Sequence, residues 1–285
     1  MNGLLVVNKK KGYTSRDVVN ILEKKFDTPK VGHTGTLDPI ATGVLVIAIG
    51  NALKIVDLLS SNTKEYIATA KIGLQTDTLD VTGNVIEEKE EKIDKEQLIN
   101  VLNSFIGKSL QEVPLYSAVK VKGRRLYDYA RSGKEVELPK REIEIYDIEL
   151  IELTKEYFKF RVVVSKGTYI RALIRDIGKK LNINLSMSDL IRTKQGKFTI
   201  ESSYTIEDIR NDKYELIKTY KVLDDYEIVK VDDFIKNKVL NGRILENRYK
   251  SEKIAFIDKD ENLLGLYKIY DKDNKRIKPI KIMKI

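Results

Sequence analysis

The sequence contains no cysteine and only one histidine, His33. Without cysteine it has no disulfide, no thiolate zinc site, no iron–sulfur cluster and no cysteine nucleophile. A single histidine argues against an imidazole-based metal site and against a Ser-His-Asp triad. We therefore expect no metal and no cofactor. Catalysis, if there is any, must use carboxylates, hydroxyls or cations.

Long hydrophobic runs are also missing. The longest, Gly43 to Gly50, is far shorter than the roughly 20 residues of a membrane-spanning helix, and it predicts a buried strand instead. The first residues, Met1 to Val7, lack the basic leader and the longer apolar region of a secretory signal. We expect a cytoplasmic protein without a membrane partner.

Charge is abundant and unevenly distributed. The 285 residues carry 52 Lys+Arg against 43 Asp+Glu, a net charge of +9, which makes a polyanion the first partner to consider. One basic cluster lies between Arg161 and Ile200, and a second, with tyrosines interleaved, lies between Tyr116 and Lys134. A solvated helix face would explain either cluster alone, but together they favour nucleic acid.

The pattern of apolar residues predicts an α+β fold with a mixed sheet, because strands outnumber helices and few βαβ alternations are clean. The 42% hydrophobic content is enough for one large domain and a small one. After about Tyr226 the chain becomes a β-rich appendage with one short helix, so we place the domains at 1–227 and 228–285. The expected strands are 4–8, 44–49, 65–72, 143–153 and 157–164, and the expected helices are 15–26, 52–59, 94–105, 125–131, 169–181 and 232–240.

The segment Gly32–Gly43 is the most informative loop in the sequence. It lacks the Gly-Lys-Ser/Thr ending of a phosphate-binding loop and does not match Gly-x-Gly-x-x-Gly. Its one carboxylate, Asp38, precedes a proline that keeps it out of helical conformation. From these residues alone Asp38 could be a structural Asp-Pro turn, and His33 a turn or surface residue.

The same loop resembles a motif of the TruB-type tRNA pseudouridine synthases, and further motifs of that family follow in the family's order over roughly residues 3 to 200. The matching segments are Gly32–Gly43, Lys64–Tyr66, Gly73–Gly83, Val113–Gly123, Leu126–Arg131 and Ser165–Arg171. Two departures stand out. Lys10 replaces the proline of the family's Lys-Pro-x-Gly, and Leu185-Ser186 stands where many bacterial members carry Ala-His.

The resemblance implies a function for several residues. Members isomerise the T-loop uridine known as uridine 55, so the implied partner is tRNA through its T-arm. Asp38 is the implied nucleophile, Arg171 its cationic partner, and Tyr66 the candidate for removing the C5 proton while stacking on uracil. Without the motif, Arg171 would be a phosphate or solvent contact and Tyr66 a packing residue.

The remaining implied residues would bind the RNA. Tyr169 and Leu190 would form other walls of the uracil pocket, His33 would enter the RNA loop, and Lys9, with Lys64 and the two basic clusters, would bind phosphates. The implied fold is a mainly antiparallel pseudouridine synthase core with flanking helices. The C-terminal segment resembles the family's PUA-like RNA-binding domain only in size, place and strand content.

Two other readings remain open. The chain could be an RNA-folding module that remodels tRNA without chemistry, although Asp38 with Tyr66 and Arg171 argues against it. It could also be a subunit guided by a separate RNA. The bacterial-like Tyr116–Lys120 segment favours an enzyme that needs no obligatory protein or guide RNA partner.

Overall fold

The computed structural model describes residues 1–60 and 63–283. Its strands are β1 Gly3–Lys9, β2 Val31–His33, β3 Thr42–Ile49, β4 Lys64–Ile72, β5 Leu74–Thr76, β6 Val85–Glu88, β7 Gly107–Glu112, β8 Lys120–Val121, β9 Arg124–Arg125, β10 Lys140–Leu153, β11 Tyr157–Val164, β12 Leu185–Gln195, β13 Phe198–Thr199, β14 Glu227–Lys230, β15 Leu245–Glu246, β16 Lys253–Ile257, β17 Leu263–Tyr270 and β18 Asp273–Ile282.

The helices are fewer than the strands, as expected. They are α1 Ser15–Lys25, α2 Val56–Ser60, α3 Lys95–Asn103, α4 Leu126–Arg131, α5 Ile170–Leu181, α6 Ile206–Arg210 and α7 Asp233–Leu240, with 3₁₀ turns at Gly50–Ile55 and Thr219–Val222. The α+β prediction is confirmed. Every strand and helix predicted from the sequence is present with ends shifted by a few residues, except that the expected helix 52–59 is a 3₁₀ turn, Gly50–Ile55, followed by the short α2.

A nine-stranded sheet dominates the described part of the chain, with the path β1-β3-β12-β4-β11-β10-β7 and with β2 and β13 attached to β3 and β12. All of its pairings are antiparallel except β12 with β3. The sheet is therefore mixed and mainly antiparallel, as predicted.

Strand β3, second in the path of the main sheet, is buried on both faces, which explains its uninterrupted apolar run. Leu45 and Ile47 lie in one hydrophobic cluster, with residues of α1 and α5. Val44 and Val46 lie in a second cluster on the other face. Because the Asp38 loop runs directly into β3, the end of that loop is held by a rigid strand.

The 32–43 loop departs from the prediction at its beginning. Residues Val31–His33 form β2, which pairs with β3 from His33 opposite Ile47 to Val31 opposite Ile49. Three residues are too few to show a strand period, so the sequence pattern missed this strand. His33 is consequently held at a strand end rather than in a free loop.

The C-terminal residues form a separate five-stranded sheet, in the order β14-β16-β17-β18-β15. This sheet packs against the main one, because Ala255, Leu266 and Met283 share a buried cluster with Leu4 and Val6 of β1. No helix among the described residues is long and apolar enough to cross a membrane.

Candidate active site

The loop that carries Asp38 is held from both sides of that residue. On one side, the backbone N–H of Leu37 donates to Ser15 Oγ at 2.8 Å, and this hydroxyl donates back to the Leu37 carbonyl at 3.2 Å. On the other side, the Gly12 N–H donates to the Pro39 carbonyl at 2.8 Å. Asp38 therefore sits on a backbone fixed by two neighbouring segments.

Lys9 takes part in the same support instead of facing solvent. It is fully buried, and its Nζ donates to the carbonyls of Tyr13 at 2.6 Å, Lys10 at 3.1 Å and Pro39 at 3.4 Å. Burial lowers its pKa to about 8, although nearby Asp38 acts in the opposite direction. The phosphate-binding role expected for Lys9 does not fit this position, since its ammonium does not reach the surface.

Arg171, in the first turn of α5, binds Asp38 through two parallel hydrogen bonds. Its Nε donates to Oδ2 at 2.9 Å and its Nη2 to Oδ1 at 3.2 Å. Further donors reach the carbonyls of Thr78 at 3.0 Å and Tyr116 at 3.1 Å. The Arg171 side chain is 7% exposed and that of Asp38 34%, so the guanidinium is fixed while the carboxylate remains accessible.

A second carboxylate, Asp80, also lies near this arginine, and the sequence motifs assigned it no role. Its Oδ2 is 3.9 Å from Arg171 Nε, and its Oδ1 accepts from the Thr78 hydroxyl and from the Thr82 N–H and hydroxyl. The Arg171 guanidinium thus lies near two carboxylates, of which only Asp38 is partly open to solvent. The two parallel hydrogen bonds fix the orientation of the Asp38 carboxylate.

Tyr66 and Leu190, the expected walls of the pocket, lie on the adjacent strands β4 and β12. They are 6% and 5% exposed and belong to the same hydrophobic cluster as Leu37 and Ile40 of the Asp38 loop. Tyr169 directly precedes α5 and so lies two residues from Arg171. Tyr66 and Leu190 thus belong to the core that supports the Asp38 loop, and Tyr169 stands at the helix end that carries Arg171.

Arg192 is an additional buried residue that the sequence analysis placed among phosphate-binding cations. It is 1% exposed. Its Nε donates to the Val44 carbonyl at 2.6 Å, its Nη2 to Gly35 at 2.9 Å, and its Nη1 lies 3.5 Å from the Tyr66 hydroxyl. The alternation of side chains along a strand could have indicated that Arg192 is buried, because Leu190 and Arg192 lie on the same face of β12.

His33 is partly buried, and its Nδ1 is an enclosed atom without a hydrogen-bond partner. Burial lowers its pKa, and the nearby charges of Arg192 and Arg16 lower it further. The ring is therefore neutral at neutral pH. An uncharged, unsatisfied ring beside the Asp38 loop suits contact with a base better than contact with a phosphate.

The two basic clusters differ in exposure. In the 161–200 segment Arg171 and Arg192 are buried and Arg175 pairs with Glu112 at 3.1 Å, so only part of that cluster can face a polyanion. The 116–134 cluster is open to solvent at Lys120, Lys122, Arg125, Arg131 and Lys134.

Tyrosines in the 116–134 cluster lie beneath its cations. Arg125 and Arg131 both approach the ring of Tyr127, at 5.6 and 5.5 Å from its centroid, and Arg124 approaches that of Tyr129 at 5.1 Å. The cluster borders an open groove of about 1230 Å³. This surface combines charge and stacking planes in the way that nucleic-acid interfaces do.

The two departures from the family pattern are accommodated locally. Ser186, which replaces a histidine, is fully buried; its hydroxyl donates to the Leu74 carbonyl at 3.0 Å and lies 3.4 Å from Thr76 Oγ1. Lys10 is exposed, and the hydrogen bond from the Gly12 N–H to the Pro39 carbonyl is present without the proline.

Among the described residues, no group of three or more His, Cys, Asp or Glu side chains could hold a metal ion.

Comparisons with known proteins identify the family of this chain. Residues 23–170 match the model of the TruB family pseudouridylate synthase (N terminal domain). The chain is 44% identical to tRNA pseudouridine synthase B of Clostridium tetani, covering 93% of this chain and 95% of that one. It is also 44% identical to the protein of that name from Caldanaerobacter subterraneus, covering 88% and 89%.

Among solved structures, one of a Cbf5-Nop10-Gar1 complex is similar over 99% of this chain and 84% of that one, with a TM-score of 0.71 and 26% identity. A structure of an H/ACA RNP bound to a substrate RNA has the same fold, at a TM-score of 0.70 and 24% identity over 99% and 84% of the two chains. The family model and the identity to these relatives show that the chain belongs to the TruB family of pseudouridylate synthases.

Proposed function

We propose that this protein is a tRNA pseudouridine synthase that isomerises uridine 55 in the T-loop, with Asp38 as its nucleophile. The observation that carries the proposal is the two-point hydrogen bonding of Arg171 to a carboxylate that stays one-third exposed. The loop that carries this carboxylate is braced at both neighbouring residues, so the accessible side chain is held in one place, as a nucleophile must be. The names of the 44% identical relatives support tRNA as the substrate.

The reaction needs no cofactor, because nothing is oxidised and no group leaves the molecule. The C1′–N1 bond breaks, the uracil rotates, and C1′ joins C5. N1 gains a proton and the C5 proton is lost to solvent. Asp38 forms a transient covalent link that keeps the sugar or the base in place during the rotation. If it attacks C1′, the bond forms as C1′–N1 breaks and is broken when C5 joins C1′; if it adds to C6 across the C5=C6 double bond, it is eliminated when the C5 proton leaves. Arg171 holds that carboxylate in a fixed orientation.

Tyr66 is our candidate for the step at C5. Its ring can stack on the uracil while its oxygen accepts or relays the C5 proton. Apart from His33, which is proposed to enter the RNA loop, the sequence has no histidine that could take this role. Arg192, 3.5 Å from the Tyr66 hydroxyl and bonded to Gly35, links Tyr66 to the Asp38 loop. Leu190 and Tyr169 would enclose the base.

The RNA would be held outside this pocket by charge and stacking. We propose that the 116–134 cluster binds the T-arm backbone and that His33 enters the RNA loop and helps expose the uridine. The segment 228–285 is proposed as a PUA-like RNA-binding domain, which adds affinity rather than chemistry. Lys9 positions the Asp38 loop instead of touching RNA, as its buried contacts indicate.

A guide-dependent subunit is the main rival, because the structural neighbours come from an H/ACA RNP and a Cbf5-Nop10-Gar1 complex. Against it stand relatives at 44% identity that carry the name of a tRNA enzyme. The two readings differ in one observable. The purified protein alone should convert an unmodified T-arm stem-loop, whereas a guided subunit alone should not.

The decisive experiment uses uridine labelled with tritium at C5, since isomerisation releases that label to water. Asp38→Asn keeps the side chain's size and removes its charge, so we expect release to vanish while RNA binding stays within about tenfold, or 1.4 kcal/mol. Asp225→Asn, at an exposed carboxylate, is the matched control and should release label at the wild-type rate.

The outcomes separate the readings. Label release by Asp38→Asn at the wild-type rate would show that the nucleophile is misassigned. Tight tRNA binding by the wild-type protein without any release would favour the RNA-folding module.

A further inference from the structure

Gln111 is a buried polar residue that has no part in the proposed reaction. It lies near the end of the edge strand β7 and is 3% exposed. Its Oε1 accepts from the Tyr169 N–H at 2.8 Å, and its Nε2 donates to the Tyr169 carbonyl at 3.1 Å. Both hydrogen-bonding groups of one backbone residue are thus held by a single side chain.

Tyr169 stands at a point where the backbone needs an outside partner. It is the N-cap of α5, and its side chain makes no capping hydrogen bond. Its carbonyl accepts the first helical hydrogen bond, from the Leu173 N–H at 3.0 Å. Because helix ends fray where their polar groups lack partners, Gln111 fixes the start of this helix, and Arg171 follows only two residues later.

The residue next to Gln111 holds the same helix one turn further on. Glu112 accepts from Arg175 Nη1 at 3.1 Å through its carboxylate and from Nη2 at 3.4 Å through its carbonyl. Arg171 lies between these two attachment points. Strand β7 therefore restrains the helix on both sides of the guanidinium that binds Asp38.

We propose that Gln111 is a positioning residue, which sets the Tyr169 backbone and through it both the Tyr169 ring and Arg171. The proposal rests on the proposed function, because it assigns these two side chains to the uracil pocket and the nucleophile. A displaced helix start would misplace the partner of Asp38 by a fraction of an ångström, which is enough to slow a reaction that depends on orientation.

The test is Gln111→Glu assayed for tritium release under single-turnover conditions across a range of pH. The ionised carboxylate still accepts from the Tyr169 N–H but repels its carbonyl, whereas the protonated acid can both accept and donate, as the amide does. Burial raises the pKa of such a carboxyl. We expect release about tenfold slower than wild type at high pH, or 1.4 kcal/mol, and recovery relative to wild type as the pH falls.

Controls separate positioning from stability. Gln97→Glu makes the same charge change at an exposed position of α3 and should match wild type at every pH. Gln111→Met fills the same space without hydrogen bonds, so its release should be slow at every pH, and it serves if Gln111→Glu does not fold. RNA affinity should change by no more than about twofold in both Gln111 variants, because neither alters the 116–134 cluster.

The results that overturn the proposal are distinct. If folded Gln111→Glu and Gln111→Met turn over at the wild-type rate at every pH, Gln111 only stabilises the fold. A slow Gln111→Glu without recovery at low pH would also contradict the proposed hydrogen-bond role. If wild-type protein itself releases no label in the same assay, the proposed function fails first.

Discussion

The residues next to Asp38 are fixed by side chains that do not contact the substrate in the mechanism proposed. Ser15, at the first position of α1, both accepts from and donates to the backbone of Leu37. Its hydroxyl is one of the few buried polar groups near the loop, at 2% exposure. Precise placement of Asp38 therefore depends on the start of a helix more than 20 positions earlier in the chain.

Ser15→Ala tests this dependence. Loss of the hydroxyl leaves the Leu37 N–H and carbonyl buried without that partner, which should cost about 1 to 3 kcal/mol of stability. We expect single-turnover tritium release to slow more than RNA affinity weakens, measured alongside urea unfolding. Ser203→Ala is the matched control, because the Ser203 hydroxyl bonds the carbonyl of Ile200 away from the Asp38 loop; it should lose stability without losing rate. Equal release by Ser15→Ala and wild type would contradict the positioning role.

At the scale of elements, the sequence predicted what strong local patterns encode. Helix α1 begins at Ser15, where the predicted helix starts, behind a capping box of Thr14 and Asp17, and the apolar run of β3 is buried on both faces. Asp38 and Arg171 were identified by resemblance to family motifs, and the structure brings them into contact. No local pattern could have placed Asp80 or Gln111 beside α5, since their partners are distant in sequence.

The pairing of β3 with β12 is a tightly constrained contact between elements. Gly43, the second residue of β3, has a φ of +96°, and a Cβ there would lie 2.3 Å from the Arg192 carbonyl oxygen. Gly43 is also the register partner of Arg192 in the parallel pairing of these strands. A glycine is needed at this position both for its backbone angle and for the close approach.

Gly43→Ala should therefore lower the free energy of unfolding by about 3 kcal/mol or more, from backbone strain and overpacking together. Urea unfolding measures this directly. Gly123→Ala is the control, because Gly123 also has a positive φ, of +81°, but a Cβ there meets nothing within 4 Å; it should cost only about 1 to 2 kcal/mol. Equal losses in the two variants would show that the β3–β12 contact can relax.

At the scale of the whole molecule, the two sheets share one buried cluster. Leu4 and Val6 of β1 pack with Leu266 and Met283 of the C-terminal segment. Removing residues 228–285 would therefore expose part of the main domain's core as well as remove a proposed RNA-binding surface. Single substitutions on the surface are therefore a sharper way to find which residues contribute to tRNA affinity. The domain boundary near residue 227 stays a prediction.

The distribution of exposed charge gives such a test. The net charge of +9 is a poor guide by itself, since Arg171 and Arg192 are buried. In the 116–134 cluster the exposed cations Arg125 and Arg131 lie over a tyrosine ring. If they contact phosphates, tRNA affinity should fall steeply with salt, because each contact releases condensed counterions.

Lys122→Gln isolates one of these contacts. Lys122 is exposed and lines the groove beside Tyr129, so its loss should reduce the slope of log affinity against log salt by about 0.7 to 0.9. Single-turnover release at saturating RNA should stay unchanged, because Lys122 has no part in the proposed chemistry. Lys92, an exposed lysine of the acidic 87–96 segment, provides the control: Lys92→Gln removes the same charge and should leave the slope unaltered. Equal slopes for Lys122→Gln and wild type would show that the cluster is a solvated face. Equal decreases in both variants would indicate a general effect of net charge.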